Sequence, residues 1–492
     1  MYQFTGKLKI LAFTLIGVGI LGTVHSFMSA PKTLEQAKEI LAKQHDTHHG
    51  GHAEVSEHKK QAKDTTNKKH TTSHKELTAK TEHESVKGKH KKASSKHQIQ
   101  ENKEQEQTND HNKDEHAEHA FHQMQNKPWA AFYVAMLFFL GVSLLVLAFY
   151  AAQRVAHAGW SVVLFRVMEA ISNNLHYVSV FMLLFIILTI MHKNHIFPWM
   201  AEGILDPLSD KYDPIIERKS WFMNTPGWAI RSIVYLIGWN IFRYIIRKKS
   251  IDQDNGSLKL HKNLYNICVV FIVFFMITES MMSWDWIMGI DPHWFSTLFG
   301  WYVLATLLVS ALTIIAMVSI YLRSKDALPF VNDSHIHDLA KFMFGFSVFW
   351  AYLWFAQFML IWYANMPEET TYFVQRFNEY KIPFLTMVGL NFVFPVLLLI
   401  NSDFKSIPWL VILSGIVILT GHYIDLFVMI MPGTVGEQWS FGIGEISAIL
   451  FFIGVFIYAT FSAFDKVSAL PKGNPFLDES KTHHYYNIEH RG

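Results

Sequence analysis

The chain has 492 residues, of which 50% are hydrophobic and only 17% are charged, whereas roughly 25% are charged in soluble domains. The net charge is only +2, and much of the charge lies in residues 31–127; elsewhere, apolar runs of roughly 20 residues follow one another. These features exclude a soluble enzyme, a nucleic-acid-binding protein and a secreted disulfide-rich domain as the main interpretation. The sequence therefore predicts an all-α polytopic membrane protein.

Ten apolar runs are long enough to cross the roughly 30 Å hydrocarbon core of a bilayer as helices. The first run is also compatible with a cleaved signal peptide, because Lys7 and Lys9 precede it and it ends in Ser29-Ala30. Met28 is larger than the residue that such a cleavage site needs, so a retained N-terminal helix within residues 1–30 is predicted. The runs lie near residues 8–27, 129–152, 163–191, 226–246, 264–290, 295–322, 339–362, 383–401, 406–431 and 439–465.

Residues 31–127 have the composition of a disordered segment, with almost no aromatic residues and many Lys, Glu, Gln and His residues. The segment contains 14 of the 27 histidines, between His45 and His122. Two interpretations remain, weak metal capture and a solvated tether. The irregular histidine spacing and the absence of an accompanying cysteine favour the tether.

The distribution of Lys and Arg near the ends of the apolar runs predicts the orientation in the membrane. If the N-terminus is inside, the inner connections carry seventeen such residues and the outer connections carry six, with residues 31–127 left out. Both termini, including the tail 466–492, are therefore predicted to be cytoplasmic. The long segment 31–127 is predicted to lie on the opposite, periplasmic side.

The chain offers few metal or redox ligands. Its one cysteine, Cys268, lies within an apolar run, which excludes a disulfide, a thiolate metal cage and iron–sulfur ligation. Neither a Cys-x-x-Cys-His motif nor a phosphate-binding loop occurs. A b-type haem held by His176 and His422 remains a minor alternative, and otherwise no metal or cofactor site is predicted.

A weak internal repeat suggests how the helices are grouped. Segments 133–154 and 302–323 both start with Tyr-Val and end with Arg 21 residues later, and each opens a group of four apolar runs. This pattern predicts two four-helix bundles flanked by the first and tenth helices, with nine helices in residues 128–465.

Ionisable side chains occur inside the predicted helices, where each costs on the order of 2.5–3.5 kcal/mol at mid-bilayer. Carboxylates and histidines at stepped depths are what a proton path needs, because each can accept and release a proton. The alternative is that they form satisfied pairs between helices that fix the packing. Trp350 is assigned to packing or to the membrane interface. The candidate proton-path residues are Glu169, His176, Glu279, Asp285, His422, Asp425 and Glu445.

Four stretches of the chain resemble a known family. They are ESMMSWDWIMGIDPHWFSTLFGWYVLA (279–305), SHIHDLAKFMFGFSVFWAYLWFAQFMLIWYANMPEE (334–369), NFVFPVLLLINSDFK (391–405) and GHYIDLFVMIMP (421–432). They look like the ActF subunits of bacterial alternative complex III, one of the two NrfD-like integral membrane subunits of that complex ("quinone-binding subunit 2"). The resemblance covers roughly residues 128–480.

The resemblance implies a ten-helix fold with two four-helix bundles, located in the bacterial inner membrane. It also implies membership of a respiratory quinol:cytochrome c oxidoreductase, in which this subunit holds no redox centre and is not active alone. The implied partners are the second NrfD-like membrane subunit, an Fe–S subunit and multihaem c subunits, with a terminal oxidase as a further candidate. Menaquinol or another quinol is the implied substrate of the complex, and electrons pass to haem c and Fe–S clusters in the partners.

For the ActF subunit the resemblance implies proton conduction through two half-channels, one from each face. The seven candidate proton-path residues are the matching positions, with Glu169 and His176 toward the inner face. A quinone contact is also expected at His422 and Asp425, the best pair for accepting a hydroxyl proton. A secondary transporter and a purely structural scaffold remain alternative interpretations.

Overall fold

The computed structural model of the chain describes residues 2–50, 94–256 and 258–485. Within these ranges the chain forms helices and loops and no strand. Ten of the described helices are long and apolar enough to cross a membrane. The prediction of an all-α polytopic membrane protein is therefore confirmed.

The ten membrane-length helices are numbered α1–α10, and two of them are composite. They are α1 Gly6–Ser29; α2 Ser94–Val155, apolar from Ala117; α3, formed by Gly159–Leu164, Phe165–Ser172 and Asn174–Ile190; α4 Thr225–Asp252; α5 Leu258–Trp286; α6 Phe299–Arg323; α7 Asp333–Ala364; α8, formed by Lys381–Val388, Gly389–Val393 and Phe394–Leu399; α9 Pro408–Val435; and α10 Ile443–Asp465. The shorter helices are Leu34–Gly50, Pro198–Met200, Pro214–Arg218, Gln253–Asn255, Met288–Ile290, Pro367–Asn378, Phe404–Ser406, Gly436–Gln438 and Leu477–Lys481.

The described residues between Pro31 and Gln125 belong to a unit separate from the rest of the chain. The structure differs from the predicted disorder at both ends of this segment, where it has the helix Leu34–Gly50 and the start of α2. Glu, Lys and Gln are strong helix formers, and Glu39 also pairs with Lys43 one turn later at 2.7 Å. The same prediction for residues 51–93 lies outside the described residues.

The helices α2–α5 form the first bundle, in which polar side chains join neighbouring helices. The Tyr150 hydroxyl on α2 donates to Glu169 on α3, and the Trp239 indole on α4 donates to Thr278 on α5. The bundle is closed by Tyr133 of α2, whose hydroxyl donates to a backbone carbonyl at the end of α5 at 2.8 Å. These contacts hold the four helices together as the first of the two four-helix bundles that the repeat predicted.

The helices α6–α9 form the second bundle. The two bundles meet along α2 of the first bundle and α6 of the second. In the most apolar stretch of α2, 94% of the residues are buried, and in that of α6, 89% are buried. Both shares are larger than in any other described helix of membrane length. They approach closely at Gly141, where an added Cβ would lie 2.5 Å from the Leu307 side chain. The two repeated segments are therefore the two central helices of the molecule.

The first and last helices, α1 and α10, pack along each other through small residues. A Cβ added at Gly19 would lie 2.6 Å from the backbone of Phe451, and one at Gly454 would lie 2.7 Å from the carbonyl oxygen of Ala12. Gly22 faces Ser447 in the same way. Small residues let helix backbones approach closely, which is how apolar helices associate in a lipid environment.

Helix α8 contains one wide π-helical turn at Gly389–Val393, after which the N–H of Phe394 donates to the carbonyl of Gly389. Pro395 explains the turn, because it has no N–H for the carbonyl of Asn391 and its ring crowds that carbonyl. As a result, Asn391 lies buried against Gly421 of α9.

Asp213 joins the loop between α3 and α4 to His293, in the loop between α5 and α6. Asp213 caps the short helix Pro214–Arg218 by accepting from the N–H groups of Ile215 and Ile216, and its other oxygen lies 2.5 Å from Nε2 of His293. Partial loss of hydration alone would raise the pKa of Asp213, but these hydrogen bonds outweigh that effect, so its pKa lies below the ordinary value.

The described part of the C-terminal tail packs back onto the membrane domain. The Ser480 hydroxyl donates to the carbonyl of Trp160 at 2.7 Å, and His483 lies 2.7 Å from the Asp338 carboxylate near the start of α7. The tail therefore covers the ends of α3 and α7, to which the sequence analysis assigned no contact.

Candidate functional site

Glu169, the first of the predicted proton-path residues, lies in a dense polar cluster at the start of α3. Its carboxylate accepts from Arg166, three residues earlier on the same helix face, at 2.8 Å, and it also pairs with Arg247 of α4. The hydroxyl groups of Tyr150 and Ser250 donate to its second oxygen. Both carboxylate oxygens are fully used, so Glu169 is held as a charged anchor between α2, α3 and α4.

His176 lies near the start of Asn174–Ile190, the last segment of α3. It is half-buried and lies beside an arginine. Its Nδ1 is 3.0 Å from a terminal nitrogen of Arg243, and the same guanidinium donates to Asn173. An arginine can only donate, so Nδ1 accepts and the imidazole carries its proton on Nε2. The two histidines considered above for a b-type haem lie in different bundles, His176 in the first and His422 in the second.

Asp285 lies near the end of α5, and both of its carboxylate oxygens have partners. Arg231 of α4 donates to both of its oxygens, at 2.6 and 2.9 Å, and Tyr235 donates at 2.8 Å. The Arg231 side chain is 18% exposed and that of Asp285 only 2%. This geometry is bidentate and charge-assisted, the strongest kind of side-chain pair.

Two of the predicted carboxylates carry an oxygen with no partner. Glu279 of α5 is 1% exposed, and its Oε1 accepts no hydrogen bond. Glu445 of α10 accepts from the N–H of Gly442 at 2.8 Å, which caps the helix, and its Oε1 is unpartnered. In the part of the chain that the structure describes, neither residue has a cation within 4 Å.

His422 and Asp425 are both completely buried in α9, and their side chains face each other as the three-residue spacing predicted. Nδ1 of His422 lies 3.7 Å from the nearer Asp425 oxygen. Asp425 is held by neutral donors: Tyr302 and Thr306 of α6, and Trp350 of α7 at 2.8 Å. The assignment of Trp350 to packing or to the interface was therefore incomplete, because its indole N–H donates a hydrogen bond to this carboxylate.

The imidazole of His422 makes no hydrogen bond within the described structure. Both ring nitrogens are buried without a partner, as are both side-chain amide atoms of Asn391 on the π-helical turn of α8. Asn391 packs against α9 at Gly421, the residue before His422, because a Cβ added there would clash with its Oδ1. Four buried, unpartnered polar atoms thus lie on α8 and α9 of the second bundle.

The structure therefore divides the seven predicted residues into groups. Only His422 and Asp425 lie side by side; Glu169, His176 and Asp285 are each held by an arginine, and Glu279 and Glu445 stand apart. Sequence reasoning did not identify the partners Arg247, Tyr302 and Asn391. Their positions in the chain do not indicate which carboxylate or helix they contact. The one pattern in the sequence is that Tyr302 and Thr306, which both donate to Asp425, lie one helical turn apart.

A wide apolar groove lies between α2, α6, α9 and α10, and neither His422 nor Asp425 lines it. Its volume is about 560 Å³, and its wall includes Tyr423, the neighbour of His422, whose buried hydroxyl has no partner. Among the described residues, no group of three or more His, Cys, Asp or Glu side chains is arranged to hold a metal ion. No protein-family model matches the chain, and a comparison with curated proteins finds no match either.

Proposed function

We propose that this chain is an ActF-type membrane subunit of a quinol:cytochrome c oxidoreductase of the alternative complex III class, and that it conducts protons. The observation that carries the proton-conducting role is the completely buried pair of His422 and Asp425. Two titratable groups at that depth are costly, and such groups commonly mark proton pathways.

Hydration of the site follows from its unpartnered atoms. A neutral imidazole always has one N–H and one acceptor nitrogen, and burying either without a partner is unfavourable. Asn391 adds two amide atoms with the same requirement. Ordered water is the usual partner of such groups, and the proposal is that water bound to His422 carries protons to and from Asp425.

The partners of Asp425 make it the best proton carrier of the set. Protonating Asp425 changes hydrogen bonds to neutral groups only, whereas protonating Glu169 or Asp285 breaks ion pairs with guanidinium groups. Glu279 and Glu445, each with an unpartnered oxygen, are the next candidates. We assign Glu169, His176 and Asp285 to the entrances of the two half-channels, where they set the local charge.

The remaining parts of the proposal are supported by the sequence resemblance. Two of the matching stretches, 279–305 and 421–432, contain Glu279 and the His422 pair. On this basis the redox centres belong to Fe–S and multihaem c partner subunits, and menaquinol or another quinol is oxidised by the complex. The excess of Lys and Arg on one side supports cytoplasmic termini and a location in the bacterial inner membrane.

A quinone contact at His422 and Asp425 is expected from the resemblance, and the apolar groove that Tyr423 lines is the space available for a quinone on this side of α9. Its 560 Å³ lie within the range of about 300–1,000 Å³ that small-molecule sites occupy, and its walls are almost entirely aliphatic and aromatic. A prenyl chain would lie along the groove, and the unpartnered Tyr423 hydroxyl offers a donor to a carbonyl.

The proposal is tested by the proton-to-electron ratio of the complex in vesicles. Asp425→Asn and His422→Gln are expected to lower the ratio to the protons released by quinol oxidation alone, and Glu368→Gln, an exposed acid, serves as the control. An unchanged ratio in both variants would refute proton conduction here and leave a scaffold role. If the chain purifies in mild detergent without haem c or Fe–S partners, the secondary transporter becomes the better interpretation.

A further inference from the structure

A second cavity lies at the far ends of α4 and α5, bounded by the loops that follow α3 and α5. Its volume is about 300 Å³, and its walls are rich in aromatic side chains. The cavity is separate from the His422 pair, and its role is independent of the proposed function. The tryptophans that line it are Trp199, Trp221, Trp228, Trp284 and Trp294.

Three of these indoles have a buried N–H group without an acceptor. They belong to Trp199 and Trp294, which are buried, and to Trp284, which is half-buried. By contrast, the indole of Trp228 in the same wall donates to the backbone carbonyl of Asp285 at 3.0 Å. Buried tryptophan N–H groups normally find a partner, and these three exceptions all belong to residues that line one cavity.

The cavity also contains one cation and one anion that do not form an ion pair with each other within 4 Å. Lys219 donates to the carbonyl of Pro292 at 2.7 Å and has further N–H groups available. Loss of hydration lowers the pKa of Lys219, and the charge of Asp291 partly opposes this. The other charged pair in the wall, Arg231 and Asp285, is already complete.

We propose that this cavity binds a phosphodiester that carries a positively charged amine, the head group of a zwitterionic phospholipid. Phosphate oxygens accept hydrogen bonds and carry negative charge, which suits the three indoles and Lys219. The amine is held by Asp291 and the surrounding aromatic rings, which attract cations. Tryptophan-rich helix ends lie at the level of lipid head groups, so the acyl chains extend from the cavity along the helices.

The test uses the full chain, purified and delipidated in mild detergent, and native mass spectrometry with added phosphatidylethanolamine. One lipid per chain is expected to bind, Lys219→Met to weaken binding about tenfold, and Trp284→Phe to weaken it measurably. The matched controls are Lys193→Met and Trp362→Phe, both exposed and outside the cavity. Asp291→Asn is expected to remove the preference for phosphatidylethanolamine over phosphatidylglycerol.

Three outcomes would overturn the proposal. Unchanged binding in Lys219→Met, a variant whose side chain is not in the core, would remove the phosphate contact. Equal retention of a diacylglycerol would show that the head group plays no part. Displacement of the lipid by an equal concentration of glycerophosphoethanolamine would assign the site to a soluble phosphodiester instead of a lipid. Thermal unfolding of each variant separates lost binding from lost folding.

Discussion

The ion pair between Arg231 and Asp285 gives the sharpest prediction about stability, because its two partners are unequally buried. Arg231→Met removes the cation and leaves a carboxylate that is 2% exposed with the hydroxyl of Tyr235 as its remaining side-chain donor. An uncompensated buried charge of this kind costs about 3–5 kcal/mol of unfolding free energy.

The reciprocal change, Asp285→Asn, is expected to cost less. The guanidinium of Arg231 is 18% exposed, keeps a 2.9 Å hydrogen bond to the carbonyl of Phe222 and lies 4.1 Å from the centre of that ring. We therefore expect a loss of about 1–3 kcal/mol. The double variant is expected to be no less stable than Arg231→Met alone, which corresponds to a coupling energy of about 1–3 kcal/mol.

The free energy of unfolding is measured by denaturant titration of the four proteins in mixed detergent micelles. Arg218→Met, an exposed arginine on the same side of the molecule, controls for the loss of a positive charge. If the two single losses simply add in the double variant, or if Asp285→Asn is the more damaging, the account of this pair as a buried anion held by a partly solvated cation is wrong.

Three further predictions concern other parts of the molecule. Gly22→Val is expected to loosen the contact between α1 and α10, because a Cβ added at Gly22 would lie 2.5 Å from the Cβ of Ser447, closer than side chains pack; limited proteolysis of α1 checks this, and an unchanged cleavage rate would mean that α1 is not seated on α10. The lowered pKa of Asp213 stabilises its loop above a pH of about 4, and this contribution is lost as the pH falls through the lowered value. The protection of the loop amides from hydrogen exchange, relative to their intrinsic rates at each pH, should thus fall at low pH, and Asp213→Asn should remove the dependence. Gly421→Ala forces a methyl group against Asn391 and is expected to cost about 1–3 kcal/mol and to lower the proton-to-electron ratio; a variant as stable and as well coupled as the wild type would contradict the packing described.

The sequence allowed the number and approximate position of the helices to be predicted because each must satisfy one local requirement, an apolar stretch that crosses the bilayer. Pairs within one helix were equally accessible: the contact of Arg166 with Glu169 and the shared face of His422 and Asp425 follow from a spacing of three residues. The same local logic failed for Leu34–Gly50, where composition indicated disorder and helix propensity prevailed.

The partners that determine the chemistry could not be predicted, because they come from distant parts of the chain. Arg247 reaches Glu169 from α4, and Tyr302 reaches Asp425 from α6. A single sequence contains no information about which face of one apolar helix meets which face of another. Trp350 illustrates the difficulty: its residue type suggested packing, and only its position beside Asp425 gives its indole N–H a role.

The wide turn in α8 has a consequence for how this helix is built. The extra residue in one turn sets every residue after Val393 back by about 100° around the helix axis, relative to an unbroken helix. The two halves of α8 therefore have different phases, and a single repeating pattern of lipid-facing residues does not describe both. Deleting one residue here would close the wide turn and leave both halves in place, so the turn holds one residue more than the helix needs, and Asn391 stands in that turn against Gly421.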